Sequence, residues 1–379
     1  MTTTFTEPGQ QAVARCDVSE DRFTSHLRNQ ARHFFPELDA STTIVRLIQH
    51  AVRHHSQLFE FEVTDKSFTR KVIYKVAFSP QAMNAAITKE ERPRLFSPPD
   101  AASNGLREYR ALKSIEQHFS RLDDERFGVI SMLDLLESPF VMVMEKCTDA
   151  SMKSLLKKST RFHVDRNQRA LHTAFSNSGA WLREFHRMPV LEHTQERGTD
   201  RDYFVDAINR FTDGLIQKLG NRALFLRIRH RVSLAALKRL PPELPCVVVH
   251  GDFAPRNILV GSEFRVTVFD TPRRWRAPLY EDLAYLLMSV KTSGPQSRSQ
   301  GLLFSQRQLA GWESEFLSGY FVEGPTPLAA VRLYECLLTL EWWTAINFRH
   351  CNGPLLQRAG LALSNRYLSR FVEWLLADI

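Results

Sequence analysis

The sequence predicts an α+β chain in two lobes, a small strand-rich part followed by a larger helical one. Three observations carry that expectation. Between about residues 56 and 145, short runs rich in Val, Ile and Phe are bounded by turn-like residues, the mark of strands. After Cys147, apolar residues recur every three or four positions, which places them on one face of a helix. Inside that helical region one stretch, "VVVHGDFAPRNILV" (247–260), interrupts the pattern with two β-branched runs around a polar loop.

Taken in order, residues 18–35 read as a helix with Phe23, Leu27, Phe34 and Phe35 on roughly one side, and residues 1–40 as a helical N-terminal extension. "SQLFEFEVTD" and "RKVIYKVAFS", parted by "TDKS", read as an antiparallel hairpin. "ERPRLFSPPDAASNG" holds three prolines and a glycine and reads as a loop. In "LREYRALKSIEQHF" (106–119), Leu106, Tyr109, Leu112, Ile115 and Phe119 follow helical spacing. "FGVISMLDLLES" and "PFVMVMEKC" read as two more strands, so residues 41–147 form a small, mostly antiparallel sheet with one helix. Residues 148–379 form the helical lobe, with "SMKSLLKK", "NQRALHTAFSNSGAWLREFHRM", "YFVDAINRFTDGLIQKLG" and "RALFLRIRHRVSLAALKRL" before the strand insert and helices again from residue 280.

Composition bounds the function classes. The chain has 379 residues, 43% of them hydrophobic and 24% charged, as in an ordinary globular protein. No window is long and apolar enough to cross a bilayer, and the polar opening "MTTTFTEPGQQ" lacks the basic start and apolar block of a secretory signal, so a cytoplasmic location is expected. The five cysteines, Cys16, Cys147, Cys246, Cys336 and Cys351, are scattered with no CxxC, which speaks against a zinc site or a disulfide framework. The net charge of +8 favours anionic partners, but no nucleic-acid-binding motif accompanies it and no nucleic acid is expected.

The interrupting stretch carries chemistry. A connection that only turns the chain needs no acid, proline, arginine and amide within a few residues. Asp252 lies in the loop, Asn257 opens the next strand, and "FRVTVFD" ends on Asp270. Strands with Asn257 near one end and Asp270 at the end of the returning partner bring an amide oxygen and a carboxylate together. Hard oxygen ligands of that kind suit Mg²⁺. Asp252 is then a separate carboxylate, able to accept a proton from a hydroxyl nucleophile. Alone, each of these residues reads as a turn or cap former; the three at this spacing read as a site. Phosphoryl transfer also needs a cation on the departing phosphates, itself held in place. Lys75, in the apolar run "VIYKVAF", is that candidate, with Glu108 on the following helix as its partner; Lys71, at the polar start of the strand, is the weaker choice.

These segments resemble the aminoglycoside phosphotransferase-like (phosphotransferase enzyme) family of the protein-kinase-like superfamily. "HGDFAPRNILV" resembles its catalytic loop, "VFD" its metal-binding strand end, "REYRAL" its helix with the lysine's glutamate, and "FVMVMEKC" its hinge strand. "GAWLREFHRM" and "LYEDLAYLL" resemble the helices before and after the catalytic loop, and the likeness runs from about residue 56 to 290. The resemblance implies a two-lobed protein-kinase-like fold, ATP and Mg²⁺ as cofactors, Asp252 as catalytic base, and Asn257 and Asp270 on the metal. It also implies Lys75 on the phosphates paired with Glu108, backbone groups of Glu145 and Cys147 on adenine, and Asp282 and His250 as supports of the loop. Three departures stand out. Only Ser56 occupies the hairpin turn where a glycine-rich loop is expected, Arg256 replaces a small residue before Asn257, and "DTPRRW" follows the metal strand, with arginines 273, 274 and 276 either binding an acidic acceptor or forming a surface cluster.

The acceptor region is expected in the helical lobe, where the family varies. In "YECLLTLEWWTAINFRH" (334–350), Trp342, Trp343 and Phe348 suit a sugar face and Glu341 its hydroxyls, although core packing is the better reading of such aromatics. The sequence thus predicts an ATP- and Mg²⁺-dependent kinase acting on a hydroxyl of a small molecule, a sugar, glycan or aminoglycoside-like acceptor. The alternative is a catalytically inactive kinase-like nucleotide-binding or scaffold protein. A protein kinase is disfavoured, because the nine residues between Asp270 and Tyr280 leave no room for a protein-substrate platform.

Overall fold

The computed structural model describes residues 20–39, 41–53, 56–77, 95, 101–137, 140–160, 166–192, 194–271, 273–350 and 354–379. Cys16, Cys351 and most of the proline-rich stretch 91–100 lie outside them. The chain divides into two compact units, one of residues 1–90, 98–113 and 130–147, the other of 91–97, 114–129 and 148–379.

In the first unit, helix α1 (Glu20–Phe34) is followed by strands β1 (Ile44–Val52), β2 (Ser56–Thr64) and β3 (Thr69–Ala77). The N-terminal half of α2 (Ala101–Leu122) belongs here too, as do β5 (Met132–Glu137) and β6 (Phe140–Glu145). The sheet order is β1-β2-β3-β6-β5 and every pairing is antiparallel. Alternation decides the faces. Phe59, Phe61 and Val63 of β2 and Val72, Tyr74 and Val76 of β3 turn one way, into a core completed by Phe23, Leu27 and Ala31 of α1. α1 carries Glu20 and Asp21 in its first turn and Arg32 and His33 in its last, matching the helix dipole. Helix α2 begins at Ala101, so the tail of the stretch expected to be a loop is helical; Gly105 sits inside it, and a Cβ there would lie 3.3 Å from that of Ala77, which the bare glycine lets approach.

The second unit is mainly helical: α3 (Met152–Lys158), α4 (Arg166–His186), α5 (Arg201–Leu219), α6 (Arg222–Arg239), α7 (Tyr280–Lys291), α8 (Gly294–Arg298), α9 (Gln306–Tyr320), α10 (Leu328–His350) and α11 (Leu355–Ala377). Helices α4 and α9 touch backbone to backbone. A Cβ at Gly179 would lie 2.1 Å from the Phe316 carbonyl oxygen, and one at Gly319 2.1 Å from that of Ser176. A buried ion cluster, absent from the sequence-based reading, ties α7, α9 and α10 together. Lys291 meets Glu313 (2.8 Å) and Glu335 (2.7 Å), and Arg332 meets the same two carboxylates.

Two small sheets break the helices. In one, β10 (Ile258–Val260) and β11 (Val266–Val268) pair antiparallel with Ile258 opposite Val268, flanked by β7 (Ala150–Ser151) and β4 (Phe127–Gly128). In the other, β9 (Cys246–Val248) pairs with β12 (Trp275–Pro278), which also meets β8 (Gln195–Glu196). The two β-branched runs around the polar loop thus belong to different sheets, and β12 is a strand that no alternation in "WRAP" announces. Among the described residues no helix is long and apolar enough to cross a membrane.

Candidate active site

In the first unit the pleat puts Lys75 on the face of β3 opposite Tyr74, away from α1. Its Nζ donates to Glu108 Oε1 at 2.5 Å, and both side chains are largely buried. A lysine in an apolar strand is tolerated because α2 brings a carboxylate to it. Lys71 lies four residues earlier, opposite Glu62 on β2, and its carbonyl accepts the Lys146 N–H. Glu145 ends β6 opposite Val72; its N–H donates to the Ser131 carbonyl, and its side chain faces Arg70 at 3.4 Å. Cys147 follows as a half-buried residue beyond the strand. Ser56 opens β2, buried, with its carbonyl taking the Arg53 N–H across the turn.

In the second unit the loop after β9 is held from beneath. The buried Asp282 carboxylate, in the first turn of α7, accepts the N–H groups of His250 (2.5 Å) and Gly251 (2.9 Å) and contacts His186 Nε2 at 3.1 Å. Tyr320 hydroxyl meets the other His186 nitrogen at 2.7 Å. Burial pushes the Asp282 pKa up, but the hydrogen bonds from His186 and from the His250 N–H outweigh it, and the net shift is downward. Gly251 has φ +80°, a conformation that explains glycine between His250 and Asp252. The His250 ring packs among Trp181, Phe185 and Phe253; burial lowers its pKa, and its Nδ1 accepts the Asp252 N–H at 3.3 Å, so it acts as a neutral support.

At the loop's exposed rim, one Asp252 oxygen takes a 2.9 Å hydrogen bond from Asn257 Nδ2 and the other pairs with the Arg256 guanidinium. Tyr285, one turn beyond Asp282 on α7, lies close to both Asp252 and Arg256. Asn257 is buried, and its carbonyl accepts the Phe269 N–H at 3.2 Å, which sets Asn257 across from Phe269 and beside Asp270. Asp270 adopts φ +69°, a region aspartate visits more readily than most residues. Thr271 then donates to the His250 carbonyl at 2.9 Å, stitching the segment after β11 to the loop. Asn257 uses its amide nitrogen on Asp252, which leaves the amide oxygen as the atom it could offer a cation. Among the described residues no cluster of three or more His, Cys, Asp or Glu forms a cage for a metal. The Asn257 and Asp270 pair fits Mg²⁺, which takes few protein ligands and fills its shell with water and phosphate.

The three arginines separate. Arg273 is buried, donating to Ser114 Oγ (2.8 Å) and the Pro189 carbonyl (2.7 Å), and burial lowers its pKa to about 10. Arg274 lies over the Trp275 ring and Arg276 pairs with Glu196 at 2.5 Å. Of the aromatic candidates, Trp343 is core, its Nε1 bonded to Asn365 at 2.7 Å, and Trp342 packs against the same core. Phe348 lies under Lys218, and Glu341 accepts the Leu95 N–H at 3.0 Å. The sequence-based reading missed the roles of His186 and Tyr285. Tyr285's place three residues after Asp282 was the available signal.

The model of the phosphotransferase enzyme family matches residues 158–320, which bears out the resemblance read from the motifs. No curated protein matches the chain significantly in sequence. Among solved structures, a Ralstonia eutropha protein assigned as an aminoglycoside phosphotransferase is 13% identical, with 94% of this chain and 98% of that one covered at a TM-score of 0.56. A spectinomycin phosphotransferase, solved with ADP and spectinomycin, is 10% identical, with 96% and 100% covered at 0.51. An ethanolamine kinase of Plasmodium vivax is 10% identical, with 96% and 93% covered at 0.50. The chain has an α+β, protein-kinase-like fold.

Proposed function

We propose that this chain is a phosphotransferase, dependent on ATP and Mg²⁺, that phosphorylates a hydroxyl of a small molecule in the cytoplasm. The observation that carries the reading is the loop held by Asp282, which presents Asp252 in contact with Asn257 while Asn257 stands beside Asp270. Asp252 orients the acceptor hydroxyl and takes its proton. Lys75, positioned by Glu108, neutralises charge on the phosphates, and backbone groups of Glu145 and Cys147 hold adenine. Asn257 and Asp270 would hold Mg²⁺, which supplies charge neutralisation at the transferring phosphoryl group. Ser56 at the β1–β2 turn takes the place of a glycine in covering the phosphates. Spectinomycin phosphotransferase and ethanolamine kinase, which share the fold, differ in acceptor; they support the reaction class alone.

Asp252→Asn should abolish turnover while nucleotide binding persists, and Asp270→Ala should weaken Mg·ATP binding, both read by calorimetry and ADP release. Wild-type phosphoryl transfer by both variants would overturn the reading. The engagement of Asp252 by Arg256 favours the rival reading, a nucleotide-binding protein without turnover, and the same assay on the wild-type chain decides between them.

A further inference from the structure

The base proposed here is already engaged. Asp252 presents two oxygens, one bonded to the buried Asn257 amide and the other to Arg256. The two partners differ in exposure. Asn257 is locked by its backbone bonds to Ala254 and Phe269, whereas the Arg256 side chain is 48% exposed and is held only at its tip. Tyr285 lies close to both members of the pair. A guanidinium has five N–H donors in a planar fork. Asp252 does not exhaust them, so donors remain on the exposed side where a hydroxyl must approach Asp252.

We propose that Arg256 is the acceptor-specificity residue of this enzyme and that its acceptor carries an anionic group, a carboxylate or phosphate, close to the hydroxyl that receives phosphate. The inference rests on the phosphotransferase reading and narrows it. A fork-shaped cation matches a carboxylate or phosphate bidentately, and that geometry is lost with lysine. An amine-bearing acceptor would bring a positive charge against Arg256. The carboxylates nearby do not offset it: Asp252 is already paired with Arg256, Asp270 would hold Mg²⁺ in the reading above, and Asp282 is buried under the loop. An incoming anion draws the guanidinium toward itself and leaves Asp252 open to the acceptor hydroxyl. The proton passes from that hydroxyl to Asp252 as its oxygen bonds the γ-phosphorus and ADP leaves.

The test is steady-state kinetics of the full chain with Mg·ATP on three acceptor sets: hydroxy acids and sugar phosphates, neutral sugars, and amino alcohols with aminoglycosides. Turnover is expected with the first set, its two members separating carboxylate from phosphate recognition. Arg256→Gln should raise the acceptor KM about tenfold to a hundredfold with the KM for ATP unchanged, the loss of a charge-assisted hydrogen bond. Arg256→Lys, which keeps the charge, should fall between. Preferred turnover of the neutral or cationic set overturns the inference, as does an Arg256→Gln effect confined to the KM for ATP. Mg·ATP binding by calorimetry with no turnover on the anionic set also overturns it. Absence of both Mg·ATP binding and turnover overturns the underlying phosphotransferase reading instead.

Discussion

Asp282→Ala removes the acceptor beneath the catalytic loop without touching any group proposed to meet substrate. Two backbone donors, at 2.5 and 2.9 Å, and the His186 Nε2 contact at 3.1 Å lose their partner in a site that water does not reach. An unsatisfied buried donor costs about 1–3 kcal/mol, and removing a buried carboxylate returns part of its desolvation cost. We expect a net loss of about 3 kcal/mol, which a protein with a typical stability of about 5–15 kcal/mol survives at room temperature. Activity should suffer more, because a shift of about 1 Å in the base costs on the order of a hundredfold in rate. Guanidinium denaturation and turnover at a temperature where the variant is folded measure the two effects. The pH dependence has a fixed sign. The folded carboxyl has a depressed pKa, so its stabilisation is full above the unfolded value near about 3.9 and is lost as pH falls through the folded value. The gap between wild type and Asp282→Ala should therefore be widest near neutrality and close in acid. An Asp282→Ala protein with wild-type midpoint and turnover would refute the bracing argument.

Glu108→Gln removes the charge that Lys75 faces in a largely buried pair, and should weaken Mg·ATP binding at least about tenfold, the effect of a lost charge-assisted hydrogen bond; unchanged binding by calorimetry would remove Glu108 from the site. Gly179→Ala should lower the thermal midpoint despite a helix-propensity gain of about 1 kcal/mol, because the new methyl meets the Phe316 carbonyl oxygen and overpacking costs about 1–3 kcal/mol or more. A midpoint at or above wild type would show that α4 and α9 can part there without loss.

The strands of the first unit were legible because period-two alternation is local. Phe59, Phe61 and Val63 announce their face without reference to any partner. The ion pair of Lys75 was legible for a related reason: an isolated charge in an apolar strand has few tolerable environments. What escaped was long-range. Gly105 lies inside α2, close against Ala77, where local propensity suggested a loop, and β12 pairs with β9 and β8 on either side of it. Arg273 sits in a run of arginines that suggests a basic surface, yet its guanidinium is buried between Ser114 and Pro189.

The amino-acid order alone determined the division into a strand-rich and a helical part, and the motif in which an acid, an amide and a second acid recur at fixed spacing. Those are properties of period and separation along one chain. Only the tertiary structure decided that Tyr285 lies close to the Asp252–Arg256 pair, that Asp282 and His186 hold the loop, and that Lys291, Glu313, Arg332 and Glu335 form one buried cluster. Each such contact joins side chains from segments whose approach is set by packing many other residues, and no local pattern encodes that approach.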